Sequence, residues 1–396
     1  MTALYVCYQS VLEPLTHTQV VAYLKGLARV GHQIVLLTFE PEAIASKAEA
    51  SIRQDLLRLG IEWRWLRYHK RPTLPATAFD ALSGILYGLA LIRTHGIRLV
   101  HARSHVPGAI ALALRYFTGV RFLFDVRGLM AEEYVDAQVW RANGLLFSLT
   151  KKVERRIMRA ADSVVILTLR GRRLLEDWYG SELASKPFSV IPCCTEAECT
   201  GHDFPDPPQS PVTLGYVGKL GGWYATREMM RFVRLAHEVI GDLRFNLWTQ
   251  SDLQRAGAEA AHAQIAQNTV IGRLPPQDVV AHLSRTCHAA LCLIKPSFSK
   301  LASSPTKFSE YLAAGLPVIV NAGIGDLDEI VRGEGIGVVM PEFSDAAYRD
   351  SARQLKSLLE DKTLRARCVE AGRKYFDLER IGWARYRAIY DQMAKP

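Results

Sequence analysis

A lysine and a glutamate stand three residues apart in a segment that is typical of a helix start. Three residues just before or at that start carry hydroxyls that can cap the helix, namely Ser303, Ser304 and Thr306. Free amides at a helix N-terminus attract phosphate, and Lys307 adds a positive charge. Glu310 lies on the same helix face as Lys307 and can accept hydrogen bonds from sugar hydroxyls. The segment therefore predicts a site for a nucleoside diphosphate and its ribose.

A second group of polar side chains in the first half of the chain can contact another substrate. Thr16 and Gln19 open a predicted helix, whose amides can bind hydroxyls or a phosphate. Asp125 follows a short apolar strand and can orient a hydroxyl. His105 is the best histidine candidate for a general base, with a purely structural polar role as the open alternative.

Short apolar strands alternate with helices along the whole chain, which predicts parallel sheets covered by helices on both faces. The first half contains predicted strands at residues 3–8, 31–38, 98–101, 121–124 and 163–167, and a helix at 19–30. The second half contains them at 213–217, 244–248, 269–271, 289–293, 318–320 and 337–339. A proline-rich stretch between Cys193 and Val212 breaks this pattern and is predicted to be a linker.

The fold class is therefore predicted to be α/β, with two doubly wound Rossmann-like domains facing a central cleft. Their predicted bounds are residues 1–200 and 210–377. The last helix, within 378–396, carries Trp383, Tyr386 and Tyr390 at helical spacing, and we expect these rings to pack the tail back near the first domain. Ligands of such sheets bind beyond the carboxyl ends of the strands.

The composition is that of a globular protein, with 49% hydrophobic and 22% charged residues among 396. The longest apolar candidate for a membrane span, residues 81–92, is too short, and no secretory signal is recognised. Seven cysteines without a pairing pattern are typical of a reducing compartment. A cytoplasmic location is therefore expected.

The formal charge of +9 is uneven, because residues 1–200 hold 25 Lys and Arg against 18 Asp and Glu. A positive first half can lie on an anionic membrane surface, including the inner face of the plasma membrane, although an ordinary soluble surface explains the charge equally well. Nucleic acid is not an expected partner, because no recognised binding motif is present.

Two clusters resemble metal sites but are not predicted to bind a metal. Cys193, Cys194, Cys199 and His202 lie close together without the spacing of a zinc site. Asp326 and Asp328 are predicted to begin a helix instead. No metal or other cofactor is expected.

The motifs of the second half resemble the donor domain of glycosyltransferase family 4, retaining enzymes of the GT-B fold. The resemblance rests on residues 215–220, 304–318 and 323–331, and more loosely on residues 31–34, 101–104 and 124–129 of the first half. It implies that Glu310 binds the donor ribose, and that Gly218 and Lys219 contact the diphosphate together with the amides of residues 303–306. It also implies that Arg273 lies near the nucleobase, and that Arg103 and Arg127 belong to the acceptor side.

Three departures from the family pattern are visible. Ala302 stands where a first glutamate usually contacts the donor sugar. Gly221-Gly222-Trp223-Tyr224 stands where a second basic residue usually follows Lys219, so Lys307 or Arg227 is the candidate replacement. Arg127 stands where a histidine is common, and since a guanidinium stays protonated, it can hold a phosphate or an anionic acceptor but cannot act as a base.

The predicted function is retaining transfer of a sugar from a nucleotide-diphosphate donor to a glycan, glycolipid or polyprenyl-linked acceptor in cell-surface polysaccharide synthesis. Catalysis is expected from Lys219, Lys307 and Arg127, which would stabilise charge on the departing diphosphate or hold the acceptor. A sugar-nucleotide epimerase of the same architecture and a non-catalytic nucleotide-sugar-binding subunit remain alternatives. Lys219→Ala and Glu310→Ala are each expected to remove most transfer while leaving the fold intact.

Overall fold

The chain folds into two compact units, as seen in a computed structural model that describes residues 1–41, 44, 46–196 and 210–395. The first unit contains Met1–Pro192 together with Glu379–Pro396, and the second contains Cys193–Leu378. Cys199 and His202 of the cysteine cluster lie outside the described residues.

The first unit is built on a seven-stranded parallel sheet in the order β3-β2-β1-β4-β5-β6-β7. Its strands are β1 (Thr2–Cys7), β2 (Gln33–Glu40), β3 (Ile61–Arg67), β4 (Leu99–Arg103), β5 (Arg121–Asp125), β6 (Ser163–Ile166) and β7 (Phe188–Val190). The connections wind outward in both directions from β1 and β4, so the expected doubly wound sheet is confirmed. The carboxyl ends of β1, β4 and β5 meet at this switch in strand order.

The two edge strands, β3 and β7, are the elements that the apolar pattern did not predict. In β3, the buried Ile61 and Trp63 alternate with the charged and partly exposed Glu62 and Arg64. An edge strand meets solvent along one side, so it needs less apolar sequence than the strands inside the sheet.

Helices cover both faces of this sheet. They are α1 (Pro14–Thr16), α2 (Ala22–Arg29), α3 (Ser46–Arg58), α4 (Thr73–His95), α5 (His105–Thr118), α6 (Met130–Asp136), α7 (Leu145–Ala160) and α8 (Leu169–Leu183). A π-helical turn, His17–Val21, joins α1 to α2, so the helix predicted at residues 19–30 already begins at Pro14. By length and composition alone, α4 is long and apolar enough to cross a membrane. The apolar segment is therefore longer than residues 81–92, the stretch that was expected from the sequence to be too short.

The second unit holds a six-stranded parallel sheet in the order β10-β9-β8-β11-β12-β13. Its strands are β8 (Val212–Val217), β9 (Leu243–Trp248), β10 (Thr269–Gly272), β11 (Ala289–Cys292), β12 (Val318–Asn321) and β13 (Gly337–Met340). Its helices are α9 (Thr226–Ile240), α10 (Leu253–His262), α11 (Val279–Thr286), α12 (Thr306–Ala313), α13 (Leu327–Glu334), α14 (Asp345–Leu358) and α15 (Leu364–Phe376). All six strands lie where the sequence predicted them, and the strand order switches between β8 and β11.

The chain ends in α16 (Ala384–Ala394), which belongs to the first unit. Tyr386 and Tyr390 are buried there, as their spacing predicted. The Trp383 indole donates to the carbonyl of Ala22 at 2.8 Å, and its ring lies against Gly26, where a Cβ would come within 2.3 Å of it. This tail thus helps to position side chains at the carboxyl ends of β4 and β5.

Candidate functional site

A glycine-rich turn after β8 forms one wall of the candidate site in the second unit. Gly218 has φ +144° and donates its amide to the carbonyl of Trp248 at 3.0 Å. The Tyr216 hydroxyl donates to the carbonyl of Lys219 at 2.6 Å. The amide of Leu220 donates to Ser251 Oγ at 3.0 Å. These bonds fix the backbone of the turn at the point where the strand order switches.

Lys307 projects from the first turn of α12 into the space beside this turn. Its Nζ lies 3.5 Å from the ring centroid of Tyr224 and 4.0 Å from that of Tyr216. A Cβ on Gly218 would come within 2.7 Å of Nζ, so the glycine leaves the space that the ammonium occupies. We call Lys307, Tyr216, Tyr224 and Gly218 the lysine cage.

Lys307 is 5% exposed, and its buried ammonium has no hydrogen-bond partner among the described residues. Burial lowers the pKa of Lys307 to about 7, against the opposing influence of Cys292 and Glu310. The two aromatic faces attract the cation without accepting a strong hydrogen bond from it. Lys307 is therefore a buried hydrogen-bond donor that lacks an acceptor among the described residues.

Glu310, one turn further along α12, is half-buried and forms no ion pair within the described ranges. Burial raises the pKa of Glu310 to about 7, and Lys307 opposes that shift. Its carboxylate oxygens are left to accept hydrogen bonds from a ligand hydroxyl. The sequence placed both residues on one helix face, and the structure agrees.

The serines before α12 do not cap the helix as the sequence suggested. Pro305 occupies the N-cap position, and no side chain caps it. Ser303 donates its amide to the carbonyl of Lys300 at 3.1 Å, so this amide cannot serve a phosphate. Ser304 accepts a bond from the Cys193 amide at 3.1 Å through its hydroxyl. The backbone amides of Ser304 and Thr306 donate to no described backbone carbonyl.

The other basic residues predicted on the donor side have exposed side chains. The side chain of Lys219 is exposed, as is that of Arg273, which follows β10. Arg227 is also exposed at the start of α9, so Lys307 rather than Arg227 accompanies the glycine turn. Ala302 is fully buried and offers no polar group.

The first unit holds a buried charged group at the ends of β4 and β5, which we call the Asp125 cluster: Asp125, His101, Arg103, Arg127 and Tyr386. The Tyr386 hydroxyl donates to Asp125 Oδ2 at 2.8 Å. Arg127 Nη1 lies 3.7 Å and Arg103 Nη1 lies 3.8 Å from the same oxygen. His101 Nε2 lies 3.9 Å from it and bonds Tyr390 through Nδ1.

The electrostatics of this cluster favour an ionised carboxylate. Burial alone would raise the pKa of Asp125, but Arg127, the nearby His101 ring and Arg103 together hold it below its usual value. Burial lowers the pKa of His101, so this ring is neutral at pH 7. Two guanidiniums around one carboxylate leave a net positive charge that suits an anionic ligand.

Of the two further acceptor-side candidates, Gln19 contacts this cluster. The buried side-chain oxygen of Gln19 accepts from Arg127 Nη2 at 3.3 Å, and the backbone carbonyl of Gln19 accepts from Arg103 Nη1 at 3.3 Å. Arg127 adopts φ +60°, a left-handed backbone conformation that aims its side chain into the cluster. Thr16 is fully buried, and its hydroxyl has no partner within the described residues.

His105 belongs to a different network and is not part of this cluster. Its Nε2 lies 2.6 Å from Glu154 Oε2, and the same carboxylate accepts from Tyr179 and Lys151. His105 and Lys151 hold the pKa of Glu154 at about 2, although burial opposes them. The geometry favours the structural alternative for His105 over a general base.

Metal ligands are not grouped in the described part of the chain, where no three His, Cys, Asp or Glu side chains are arranged around a common point. Asp328 instead accepts from the Gly323 amide at 3.2 Å through both oxygens at the start of α13.

Sequence reasoning missed the aromatic members of both groups. Tyr216 and Tyr224 form the lysine cage, and the one available signal was aromatic residues standing where a second basic residue was expected. Tyr386 was predicted only as a core residue, because helical spacing reveals burial and not the partner of a hydroxyl.

Comparisons with known proteins agree with this two-part organisation. The model of the glycosyl transferase 4-like domain matches residues 16–194, and the model of glycosyl transferases group 1 matches residues 233–375. Among curated proteins, no sequence matches this chain significantly.

Solved structures share the fold over the whole chain at low sequence identity. Sucrose-phosphate synthase from Thermosynechococcus elongatus superposes with a TM-score of 0.73 at 17% identity, covering 99% of this chain and 98% of the other. The lipopolysaccharide outer core galactosyltransferase WaaB gives 0.67 at 13% identity, covering 99% and 100%. Anabaena HepE in complex with UDP gives 0.66 at 13% identity, covering 99% and 100%.

The two family models occupy one unit each, and these structures carry the same pair of Rossmann-like domains. The chain is a glycosyltransferase of the GT-B type, with a glycosyl transferase 4-like first domain and a group 1 second domain.

Proposed function

We propose that the protein transfers a sugar, with retention of anomeric configuration, from a nucleotide-diphosphate sugar to a glycan, glycolipid or polyprenyl-linked acceptor in cell-surface polysaccharide synthesis. The observation that carries the donor side of this proposal is the buried ammonium of Lys307, which has no hydrogen-bond partner among the described residues. A diphosphate is the ligand that satisfies it. Retention rests on the resemblance to the retaining family 4 enzymes.

The donor diphosphate would occupy the lysine cage at the N-terminus of α12. Lys307 and the amides of Ser304 and Thr306 would bind its oxygens, and the exposed Lys219 would close over it from the glycine turn. Glu310 would accept hydrogen bonds from the ribose, and Arg273 would flank the base. We expect the affinity to come mainly from groups that already stand in place.

Departure of the sugar leaves an additional negative charge on the diphosphate. In this account Lys307 and Lys219 stabilise that charge, and preorganised donors of this kind each contribute about 100- to 1,000-fold in turnover. We propose that the reaction needs no metal ion, which turnover measured with and without a chelator tests.

The acceptor would bind near the Asp125 cluster of the first unit. Asp125 Oδ1 has no hydrogen-bond partner within the described residues and can take an acceptor hydroxyl. Arg103 and Arg127 give the cluster its positive charge, which suits a phosphate on the acceptor. Thr16 and Gln19 would add polar contacts beside it.

The test is donor turnover measured with and without acceptor. UDP-sugars are the first donors to assay, because one of the structural relatives was solved with UDP and another is a galactosyltransferase. A transferase needs both substrates, an epimerase needs the donor alone, and a binding subunit turns over neither. Retention is read from the anomeric configuration of the product.

Two substitutions probe the donor site within that assay. Lys219→Ala and Glu310→Ala are each expected to remove most of the transfer without lowering the melting temperature. Lys356→Ala, at an exposed position on α14, is the matched control and should transfer normally. Near-normal turnover and donor affinity in both site variants would contradict the assignment.

A further inference from the structure

Helix α4 has an inner face of small residues that fits closely against α5. At Gly84 a Cβ would come within 2.7 Å of Ile110, and at Gly88 within 2.9 Å of Leu114. The second pair lies four residues after the first on both helices, so the two helices run side by side in the same direction. The inner face of α4 is thereby fully engaged with its own unit.

The outer face of α4 is apolar, which reverses the usual arrangement of a surface helix. Four large hydrophobic side chains on it are each more than half exposed: Leu74, Phe79, Leu82 and Leu86. Between Thr73 and Ile92 the sequence holds a single charged residue, Asp80. No described part of the first unit covers this stripe.

Asp80 does not give the stripe a negative charge, because it points inward and is fully buried. Its Oδ2 accepts from the Tyr8 hydroxyl at 2.6 Å and from the His69 amide at 2.9 Å. Its Oδ1 lies 2.6 Å from His69 Nδ1. These bonds fix the N-terminal half of α4 against the sheet.

Basic residues flank the apolar stripe at both ends. From Arg67 to Arg98 five basic side chains are exposed, and none has an acidic partner in the described ranges: Arg67, Lys70, Arg71, Arg93 and Arg98. The same stretch exposes no acidic side chain. Its surface is therefore apolar along the middle and positive at the ends.

We propose that this face of α4 docks the protein on an anionic lipid bilayer, with the helix lying along the surface. The stripe from Leu74 to Leu86 is about 18 Å long, enough for a shallow insertion along the headgroup region. Its basic ends complement the negative surface of such a membrane. Since the inner face is packed on α5, the helix rests on the bilayer and does not cross it.

The end of α5 extends this surface with two aromatic rings. Tyr116 and Phe117 are both exposed, and their ring centroids lie 5.3 Å apart. Because α5 runs beside α4, they lie towards the C-terminal end of the stripe. Exposed aromatic rings favour the boundary between headgroups and acyl chains.

The charges favour a bilayer over a second copy of this chain. In an antiparallel two-fold contact through α4, Lys70 and Arg71 of one copy would meet Arg93 and Arg98 of the other, and in a parallel one each basic end would meet its own copy. Like charges facing each other oppose such a contact. The bilayer supplies the opposite sign at both ends.

The experiment is co-sedimentation of the full chain with vesicles of phosphatidylcholine alone or with roughly one third phosphatidylglycerol. We expect the wild type to bind the anionic vesicles and the double variant Leu82→Glu/Leu86→Glu to bind at least about tenfold more weakly. Lys70→Gln/Arg71→Gln should weaken binding by about fivefold per residue. Melting temperature and donor binding in solution should stay unchanged in each variant.

The matched control is Leu57→Glu on α3, where the side chain is 62% exposed, against 61% for Leu86. Helix α3 connects β2 to β3 and helix α4 connects β3 to β4, so the two connections run in opposite directions across the sheet. Because such connections are right-handed, the two helices lie on opposite faces. Leu57→Glu should therefore bind vesicles like the wild type.

Three outcomes would overturn the proposal: no binding of the wild type to anionic vesicles, equal binding of the Leu82→Glu/Leu86→Glu variant, or equal loss in Leu57→Glu. Sedimentation velocity without lipid provides a fourth, since a dimer that the double variant dissociates would show that a second copy covers the face. The transfer assay is independent of these results.

Discussion

Each unit contains a buried charged side chain, but one has no hydrogen-bond partner among the described residues and the other is surrounded by partners. Lys307 in the second unit is 5% exposed and has no hydrogen-bond partner among the described residues, and burial shifts its pKa towards the neutral form. Asp125 in the first unit is fully buried, yet two arginines and a histidine keep its pKa low, and a tyrosine donates a hydrogen bond to it. A charge left unpaired awaits a ligand, whereas a surrounded charge fixes the groups around it.

Removal of the Asp125 charge should produce the largest change. In Asp125→Asn, Arg103 and Arg127 stay buried without their carboxylate, so we expect the free energy of unfolding to fall by about 3–5 kcal/mol. The exposed pair of Asp345 with Arg231, at 2.7 Å, is the control. Asp345→Asn should cost about 0–1 kcal/mol. If chemical denaturation showed an equally small loss of unfolding free energy in Asp125→Asn and Asp345→Asn, the buried carboxylate would not differ from the exposed one.

Lys307→Met should act on turnover and spare stability. We expect turnover to fall by about 100- to 1,000-fold, because the cation that meets the diphosphate is lost. The free energy of unfolding should not fall, because methionine relieves the burial of an unpaired amine. Lys374→Met, at an exposed lysine paired with Glu334 at 2.8 Å, should change turnover little. A Lys307→Met protein that transfers normally, or that loses stability along with activity, would contradict this account.

Tyr386→Phe tests the support of Asp125 from α16 and should have a smaller effect. It removes one hydrogen bond to a charged acceptor, so we expect a loss of about 1.5–3 kcal/mol in the free energy of unfolding by urea. Tyr390→Phe removes a bond to a neutral histidine at 3.0 Å and should cost about 0.5–1.5 kcal/mol. The reverse order would show that the Asp125 charge does not set the strength of this contact.

Much of the fold could be predicted from the sequence because buried parallel strands are short apolar runs. The pattern failed at β3 and β7, where an edge strand tolerates polar residues. It also missed the helical residues from Pro14 to Thr18, because such a short turn has no periodic pattern.

The candidate site was predictable where it depends on neighbours in sequence and not where it depends on distant ones. Lys307 and Glu310 share a helix face, so three-residue spacing is enough to pair them. The aromatic rings around Lys307 and the hydroxyl of Tyr386 on Asp125 come from other elements, and no local pattern records such contacts. Likewise, the bond of His105 to Glu154 joins residues 49 positions apart.

The most direct test of the lysine cage is the number of protons taken up when a nucleoside diphosphate binds. At pH 8 Lys307, with its pKa lowered to about 7, is mostly neutral, while a terminal phosphate is already ionised. A bound diphosphate would raise that pKa again, so affinity should weaken as pH rises above 7. Calorimetry with UDP in buffers of different ionisation enthalpy should show uptake of close to one proton by the wild type and none by Lys307→Met. Binding without proton uptake in the wild type, or equal uptake in both proteins, would contradict the assignment of Lys307 to the diphosphate.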